Sequence, residues 1–360
     1  MEYDKKIVLE NGEEYPGISF GADKEALCEL VFNTSMSGYQ EILSDPSYTY
    51  QAVVMTYPLI GNYGMCEDDY ECACPTVGGL IVREYNDRPS NFRGRESLGN
   101  VMKRFGIPGI CGVDTRKLTR KIRDLGSMKV LITSAETSHE GAMKRLAEEL
   151  GKDAVSKVST KEITISLPEK INNNKCVVAI DCGMKENIVR NFNKRGIKLV
   201  RVPWNTPAEK ILEFKPDGVF VSNGPGDPAD AAQTIETVRS LIGKLPIFGI
   251  CLGHQIISLA YGAETYKLKF GHRGGNHPVK NIKTGKIEIT SQNHSYAVDS
   301  ESLEKTPLKV THINLLDRTV EGVECEKDKV FSVQYHPESA PGPVDSEYLF
   351  DKFAAMLEEE

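Results

Sequence analysis

Runs of consecutive hydrophobic residues mark the second half of the chain, from about residue 175. Four of these runs lie at 176–180, 198–202, 218–221 and 247–250, and segments with helical spacing of apolar residues separate them. Continuous apolar runs of this length are typical of strands that are buried on both faces. We therefore predict an α/β domain over residues 175–360, built on a parallel sheet with helices on both sides.

The first part of the chain, residues 1–152, has a different pattern. Apolar, strand-like segments are frequent there, and a clear helical periodicity occurs only over 139–150. Asp114 indicates a second helix start, followed by a basic stretch that is typical of a solvent-exposed helix. These features predict a smaller, strand-rich α+β domain. The charged and polar segment 153–174 is predicted to be the linker.

One stretch of the N-terminal part, residues 31–40, is rich in hydroxyl and amide side chains where a core strand would be apolar. Such groups offer directional hydrogen bonds, so the stretch could form a contact surface. The pattern alone favours a polar loop or an edge strand instead.

Length and composition fit a two-domain globular protein. The chain has 360 residues, of which 40% are hydrophobic and 26% charged. Its formal net charge of -7 argues against a nucleic-acid binder. No apolar run approaches the roughly 20 residues that cross a bilayer, and the charged N-terminus does not resemble a signal peptide. We expect a cytoplasmic protein that does not bind membranes.

The nine cysteines do not form a disulfide-rich pattern. Cys66, Cys72 and Cys74 cluster, but they lack a second pair of Cys or His residues at the spacing of a metal site. We therefore expect free thiols and no bound metal.

Cys251 carries the strongest chemical signal. It follows the apolar run 247–250 and precedes a helical segment, with Gly249 and Gly253 two residues away on either side. This spacing is the cysteine form of a nucleophile elbow, a tight turn in which flanking side chains would clash. At a helix N-terminus, backbone N–H groups favour the thiolate. The motif by itself fits a buried core cysteine equally well.

Two further segments are predicted to lie at the same sheet edge. The loop 222–228 contains Gly224 and Gly226 and follows a neighbouring strand, so its N–H groups could face a developing oxyanion. A later strand ends in His336-Pro337-Glu338, where the histidine could accept a proton and the carboxylate could orient it. Together with Cys251, these segments indicate thiol-dependent acyl transfer.

The C-terminal half, roughly 174–358, resembles class I, triad-type glutamine amidotransferase domains through the segments 249–255, 222–228 and 336–338. Further segments resemble, more specifically, the small-subunit family of carbamoyl-phosphate synthases. This second resemblance covers nearly the whole chain. These segments are 33–47, 90–93, 114–120, 269–278 and 291–298.

The resemblance implies a role for each matching residue. Cys251 would be the nucleophile, His336 the general base and acid, and Glu338 the residue that orients His336. Backbone N–H groups of Gly224 and Leu252 would form the oxyanion hole. The implied glutamine-binding residues are Ser47, Gly224, Gly226, Leu252, Gln255, Asn293, Ser295 and Tyr296. Ser295 and Tyr296 depart from the commoner glycine and phenylalanine of this family.

The resemblance also implies a partner. In this family the ammonia is channelled within a heterodimer to a large subunit, which uses ATP, Mg²⁺ and bicarbonate to make carbamoyl phosphate for arginine or pyrimidine synthesis. This chain has no G-x-x-x-x-G-K-[ST] phosphate loop, so we expect no cofactor on it. Ser47 further implies that the N-terminal domain borders the glutamine site, which would make the polar stretch before it an interface.

Two other functions fit parts of the pattern. One is a free-standing thiol hydrolase of the same fold that acts on γ-glutamyl amides, which would not need the N-terminal domain. The other is a non-catalytic regulatory subunit, which would not need Cys251, His336 and Glu338.

Overall fold

The computed structural model describes residues 3–168 and 175–358, and the chain divides into two compact units, Met1–Gly151 and Lys152–Glu360. The boundary falls at the start of the predicted linker. No helix in the described ranges has the length and apolarity needed to cross a membrane.

Unit 1 is built on a closed barrel with the strand order β1-β2-β8-β6-β4-β3-β9. Its strands are β1 (Lys5–Leu9), β2 (Glu14–Gly21), β3 (Ala26–Asn33), β4 (Gln51–Met55), β5 (Leu59–Ile60), β6 (Gly79–Ile81), β7 (Glu84–Tyr85), β8 (Pro108–Cys111) and β9 (Met128–Ser134). Its helices are α1 (Tyr39–Ser44), α2 (Leu98–Arg104), α3 (Thr115–Leu125) and α4 (His139–Leu146). The neighbours β3, β4, β6 and β8 run parallel, so their carboxyl ends lie at one mouth of the barrel.

The polar stretch 31–40 differs from the loop or edge strand that its pattern favours. Residues 31–33 end β3, which pairs with β4 on one side and β9 on the other. Tyr39 and Gln40 then begin the short helix α1, and both are buried. Barrel closure leaves this strand without a free edge, because strands far apart in sequence supply its neighbours.

Unit 2 contains a ten-stranded sheet with the order β10-β12-β11-β13-β14-β19-β18-β17-β15-β16. Its strands are β10 (Thr164–Ser166), β11 (Cys176–Asp181), β12 (Lys198–Pro203), β13 (Gly218–Val221), β14 (Ile247–Ile250), β15 (Thr265–Asn281), β16 (Ile287–Val298), β17 (Lys309–Asn314), β18 (Val320–Cys325) and β19 (Val330–Val333). Its helices are α5 (Ala154–Val158), α6 (Glu186–Lys194), α7 (Ala208–Leu212), α8 (Ala232–Leu241), α9 (Leu252–Ala260), α10 (Ser300–Leu303) and α11 (Tyr348–Met356).

The predicted parallel sheet forms the centre of this larger sheet. The strands β12, β11, β13, β14 and β19 are parallel, whereas β10 and the strands from β18 to β16 pair antiparallel. Alternate residues of β13 pack into two separate cores, Val219 and Val221 into one and Phe220 into the other. The central strands are therefore buried on both faces, as their continuous apolar runs predict.

The segment 153–174 was predicted to be a linker. Over its described part it contains α5 and the edge strand β10, in which Ile165 pairs with Val200 of β12. The residues of β10 are mostly exposed, which explains why the sequence around them appears polar and irregular. Residues 169–174 lie outside the described part of the chain.

Candidate active site

Cys251 forms the junction between β14 and α9. Its backbone has φ 54° and ψ -104°, and it is the residue before the first turn of α9. A positive φ is uncommon for a residue with a side chain and costs roughly 1–3 kcal/mol, and it is found mainly at functional turns. The side chain is nearly covered, with 2% of the residue exposed. The predicted elbow is therefore present at this residue.

The two glycines that flank Cys251 are required by close packing. A Cβ on Gly249 would lie 2.9 Å from the backbone of Gly253, and a Cβ on Gly253 would lie 2.1 Å from the carbonyl oxygen of Val221. Neither separation is possible for real atoms, so only glycine lets the strand, the turn and the helix approach this closely. The structure confirms the steric argument for this spacing.

His336 and Glu338 form a buried pair after the end of β19. Nδ1 of His336 lies 2.7 Å from Oε1 of Glu338, and both residues are 2% exposed. The ring nitrogen that remains, Nε2, has no hydrogen bond of ordinary geometry within the described residues. A histidine that is oriented through one nitrogen and open at the other is arranged for proton transfer.

The pKa shifts of this pair follow from its charges. Burial lowers the pKa of His336, but the Glu338 carboxylate and the nearby Cys251 sulfur outweigh burial, so the pKa is raised above its ordinary value. Burial raises the pKa of Glu338, but the charges of Lys185 and His336 outweigh it and lower this pKa to about 2. Glu338 is therefore ionised at neutral pH, and His336 is held in its charged form next to the sulfur.

Lys185 completes this charge arrangement, and the sequence analysis did not identify it. It precedes α6, and its Nζ lies 2.9 Å from Oε1 of Glu338 and donates to the carbonyl oxygen of Ser339 at 2.6 Å. Lys185 is 2% exposed, and a lysine is rarely buried without a charged partner. A lysine four residues after the end of β11, near the carboxyl edge of the sheet, was the available signal.

Gly224 and Leu252, the predicted oxyanion donors, are packed against each other. A Cβ on Gly224 would lie 2.8 Å from Cδ2 of Leu252 and 2.2 Å from the carbonyl oxygen of Cys182. Leu252 is the first residue of α9, whose first-turn N–H groups have no acceptor within the helix. The structure thus packs Gly224 against the residue that follows Cys251, and the role of both residues as oxyanion donors stays a prediction.

Asn293 also lies at the candidate nucleophile. Sγ of Cys251 lies 3.6 Å from the carbonyl oxygen of Asn293. Gln255, one turn into α9, is 2% exposed, and its Nε2 donates to the carbonyl oxygen of Tyr296 at 2.8 Å. The strand β16 therefore runs along the site, where the carbonyl oxygens of Asn293 and Tyr296 contact Cys251 and Gln255. Ser295, another of the predicted glutamine-binding residues, lies between them in the strand.

Ser295 stands at one of the two positions where the sequence departs from the pattern that the resemblance implies. Ser295 is not among the residues with positive φ, so its backbone does not require glycine. Its hydroxyl accepts a hydrogen bond from Nη2 of Arg273 at 2.5 Å.

Gly226 and Ser47 are the two remaining residues of the predicted glutamine-binding set. Gly226 is exposed in the loop after β13 and has φ 90°. Ser47 belongs to unit 1, where it is buried in the single turn Pro46–Tyr48 and its N–H donates to Oδ1 of Asp45 at 2.9 Å. The role of Ser47 at the glutamine site stays a prediction.

Among the described residues, His272, His294 and Glu321 have suitable types and spacing for a metal ion, with ligand atoms within 4.8 Å of one another. They already take part in one hydrogen-bond network. Nδ1 of His272 and Nε2 of His294 lie 3.0 and 2.9 Å from Oε1 of Gln292, and Asn314 donates to Glu321 at 3.0 Å. Since Gln292 and His294 flank Asn293 in β16, we assign this network to positioning that strand.

Comparison with known proteins agrees with this geometry. The model of the glutamine amidotransferase class-I family matches residues 178–356, and that of the carbamoyl-phosphate synthase small chain, CPSase domain, matches residues 7–132. A carbamoyl phosphate synthase small chain from Fusobacterium nucleatum subsp. nucleatum is 53% identical over 357 residues, covering 99% of each chain. Those from Bacillus caldolyticus and Staphylococcus saprophyticus are 52% and 50% identical, covering 99% and 98% of this chain and 97% and 96% of theirs.

Both family models therefore match, each over one of the two units, and the relatives align over almost their whole length. On this evidence the chain belongs to the carbamoyl phosphate synthase small chain family and carries a class I glutamine amidotransferase domain.

Proposed function

We propose that unit 2 hydrolyses L-glutamine to glutamate and ammonia through a thioester on Cys251. The observation that carries this proposal is the buried His336–Glu338 pair, with 2.7 Å between Nδ1 and Oε1, beside a cysteine on a strained turn. The Cys251 sulfur is among the causes of the raised pKa of His336, so the proton-carrying group lies beside the proposed nucleophile.

The reaction has two halves. The Cys251 thiolate attacks the amide carbon of glutamine, and His336 gives its proton to the amide nitrogen, so that the C–N bond breaks and ammonia leaves. His336, now neutral, takes a proton from a water molecule that attacks the thioester carbon. The C–S bond breaks, glutamate is released, and the thiolate and imidazolium are restored.

The surrounding residues have supporting roles in this proposal. The N–H groups of Gly224 and Leu252 stabilise the negative charge on the carbonyl oxygen in both halves. Glutamine is bound by residues of the same region together with Ser47 of unit 1: Gly224, Gly226, Leu252, Gln255, Asn293, Ser295 and Tyr296. Lys185 and Glu338 hold His336 in its orientation and charge state.

The ammonia is passed on to a partner. The relatives are named carbamoyl phosphate synthase small chain, which supports a large chain that makes carbamoyl phosphate from this ammonia, bicarbonate and ATP with Mg²⁺, for arginine or pyrimidine synthesis. The absence of a G-x-x-x-x-G-K-[ST] sequence from this chain is consistent with ATP being used elsewhere. The cysteines of the described ranges form no disulfide, which fits a reducing compartment such as the cytoplasm.

The test measures glutamine hydrolysis by the purified chain, alone and mixed with the large chain. The proposal expects slow hydrolysis alone, faster hydrolysis in the complex, and carbamoyl phosphate only when both chains are present. A rate that the large chain does not change would favour a free-standing hydrolase, and no hydrolysis in either sample would favour a regulatory subunit.

A further inference from the structure

A group of arginines surrounds a depression of about 910 Å³ on the surface of unit 1. We call this group the arginine surface, and it consists of Arg83, Arg116, Arg120 and Arg123. All four residues are exposed. The chain as a whole is acidic, with a net charge of -7, so the positive charge of this surface is a local feature.

The arginine surface lies at the mouth of the barrel where parallel strands end. Thr56, which also borders the depression, directly follows β4, Arg83 follows β6, and Arg116 lies in α3, shortly after β8. These three strands are neighbours and run parallel, so the segments after them meet at one edge. Loops at the carboxyl ends of parallel strands are a frequent place for recognition.

Helix α3 arranges three of the arginines in a row. Arg116, Arg120 and Arg123 are spaced by four and three residues, which places them along one side of the helix over roughly 10 Å. The opposite side is fixed to the barrel, because Leu118 and Ile122 are buried and α3 packs against β3 and β4. The row is therefore presented on a rigid element.

The same helix carries two lysines whose side chains are engaged within unit 1. Nζ of Lys117 lies 5.2 Å from the centre of the Tyr15 ring, and Lys121 forms an ion pair with Glu13. By contrast, the side chains of Arg83, Arg116 and Arg120 form no hydrogen bond or ion pair with any residue in 3–168 or 175–358.

The remaining two charges at the depression have local partners. Arg123 donates to its neighbour Asp124 at 3.0 Å. Asp114 accepts from the N–H of Lys117 at 2.9 Å and caps α3. The depression thus contains three arginines that form no ion pair with a carboxylate of the described residues, although Asp114 also borders it.

We infer that the arginine surface is a docking surface for an acidic face of the large chain. The guanidinium groups of Arg83, Arg116 and Arg120 are exposed along a rigid edge of the barrel. This arrangement matches a row of carboxylates on another protein better than it encloses one small anion. Arginine suits this role because its planar group pairs with carboxylates through two hydrogen bonds, and it is enriched at protein interfaces. The identity of the partner rests on the proposed function.

The experiment compares two double variants that remove the same charge from the same helix. Arg116→Ala/Arg120→Ala removes two unpaired arginines, and Lys117→Ala/Lys121→Ala removes the two engaged lysines. Affinity for the large chain is measured by calorimetry at low and at physiological salt. Thermal unfolding and glutamine hydrolysis by the isolated chain check that each variant is folded.

The arginine variant is expected to bind the large chain at least about ten-fold more weakly at low salt, with a reduced dependence on salt, since exposed charge pairs act strongly on association. The lysine variant is expected to bind within about two-fold of the unchanged chain. Equal weakening by both variants, or no weakening by either, would overturn the inference.

Two further outcomes separate this inference from its alternatives. If the arginine variant binds the large chain normally but loses binding of inorganic phosphate that the unchanged chain shows, the surface is a small-anion site and the inference is wrong. If the unchanged chain does not bind the large chain at all, the partner in the proposed function is wrong, and the inference is overturned with it.

Discussion

Cys251 and Cys182 are a natural pair for comparison, because each directly follows a parallel strand of the same sheet. Cys182 comes after β11 and Cys251 after β14, so both lie at the carboxyl edge. Both are almost completely buried, at 0% and 2% exposure. Residue type, burial and position at the sheet edge are therefore the same, and they do not decide which thiol is reactive.

The difference lies in the backbone and in the neighbouring charges. Burial and the carboxylate of Asp181 raise the pKa of Cys182, which keeps this thiol protonated. Cys251 instead has a positive φ, starts helix α9, and lies beside His336, whose charge is supported by Glu338. The comparison indicates that a buried cysteine becomes a candidate nucleophile through a cationic neighbour, and not through its location alone.

Replacement of each cysteine by serine tests whether the two thiols differ in reactivity. Cys251→Ser is expected to reduce glutamine-dependent carbamoyl phosphate synthesis by at least about a thousand-fold, because a hydroxyl is a much weaker nucleophile at neutral pH. Synthesis from supplied ammonia should be unchanged. Cys182→Ser is the matched control, with an expected change below about three-fold. Near-normal glutamine use by the Cys251 variant would show that the nucleophile is misassigned.

The hydrogen-bonded pair of His336 and Glu338 provides the second test. His336→Asn removes the proton-transfer group and should cost about as much as Cys251→Ser, whereas Glu338→Gln should leave a milder defect, since the orienting residue matters less than the base. The order of effects is measured from kcat/KM for glutamine. A mild His336 variant beside a severe Glu338 variant would contradict the assigned roles.

The Glu338→Gln variant also has a distinctive pH dependence. In the unchanged chain the Glu338 carboxylate raises the pKa of His336, so the imidazolium persists to higher pH. Without that charge the pKa of His336 falls, and the alkaline limb of the kcat/KM profile should move to lower pH. An alkaline limb that stays in place would show that this limb does not report His336.

The smallest expected effect concerns Ser47. If its hydroxyl contacts glutamine, Ser47→Ala should weaken glutamine binding by roughly 0.5–1.5 kcal/mol, the net contribution of one hydrogen bond. The measurement is KM for glutamine, with kcat as the control for a change in chemistry. An unchanged KM would remove Ser47 from the glutamine site and with it the predicted border between unit 1 and the site.

The sequence predicted the centre of the site because its signals are local. The glycines around Cys251 reflect a steric requirement within five residues, and the two residues of the His336–Glu338 pair are separated by a single proline. The counter-charge on Glu338 is not local. Lys185 reaches it from a different strand end, and only the sheet brings the two together.

The fold shows the same limit. Continuous apolar runs identified the central parallel strands, but the closed barrel of unit 1 depends on pairing β1 with β9, at opposite ends of that unit. Likewise the long hairpin of β15 and β16 extends the sheet of unit 2. Its segments are polar, and buried and exposed residues alternate along only part of β15. Such pairings are determined by tertiary packing, which a single sequence pattern does not contain.

The proposed thioester on Cys251 can be trapped as a covalent intermediate. Radiolabelled glutamine is mixed with the chain and the large chain, the reaction is quenched in acid within one turnover, and the label is mapped on peptides. We predict label on the peptide that contains Cys251, its release by hydroxylamine as the γ-glutamyl hydroxamate, and its loss in the Cys251→Ser variant but not in Cys182→Ser. Label on any other residue, or hydrolysis at the normal rate without trapped label, would contradict the account.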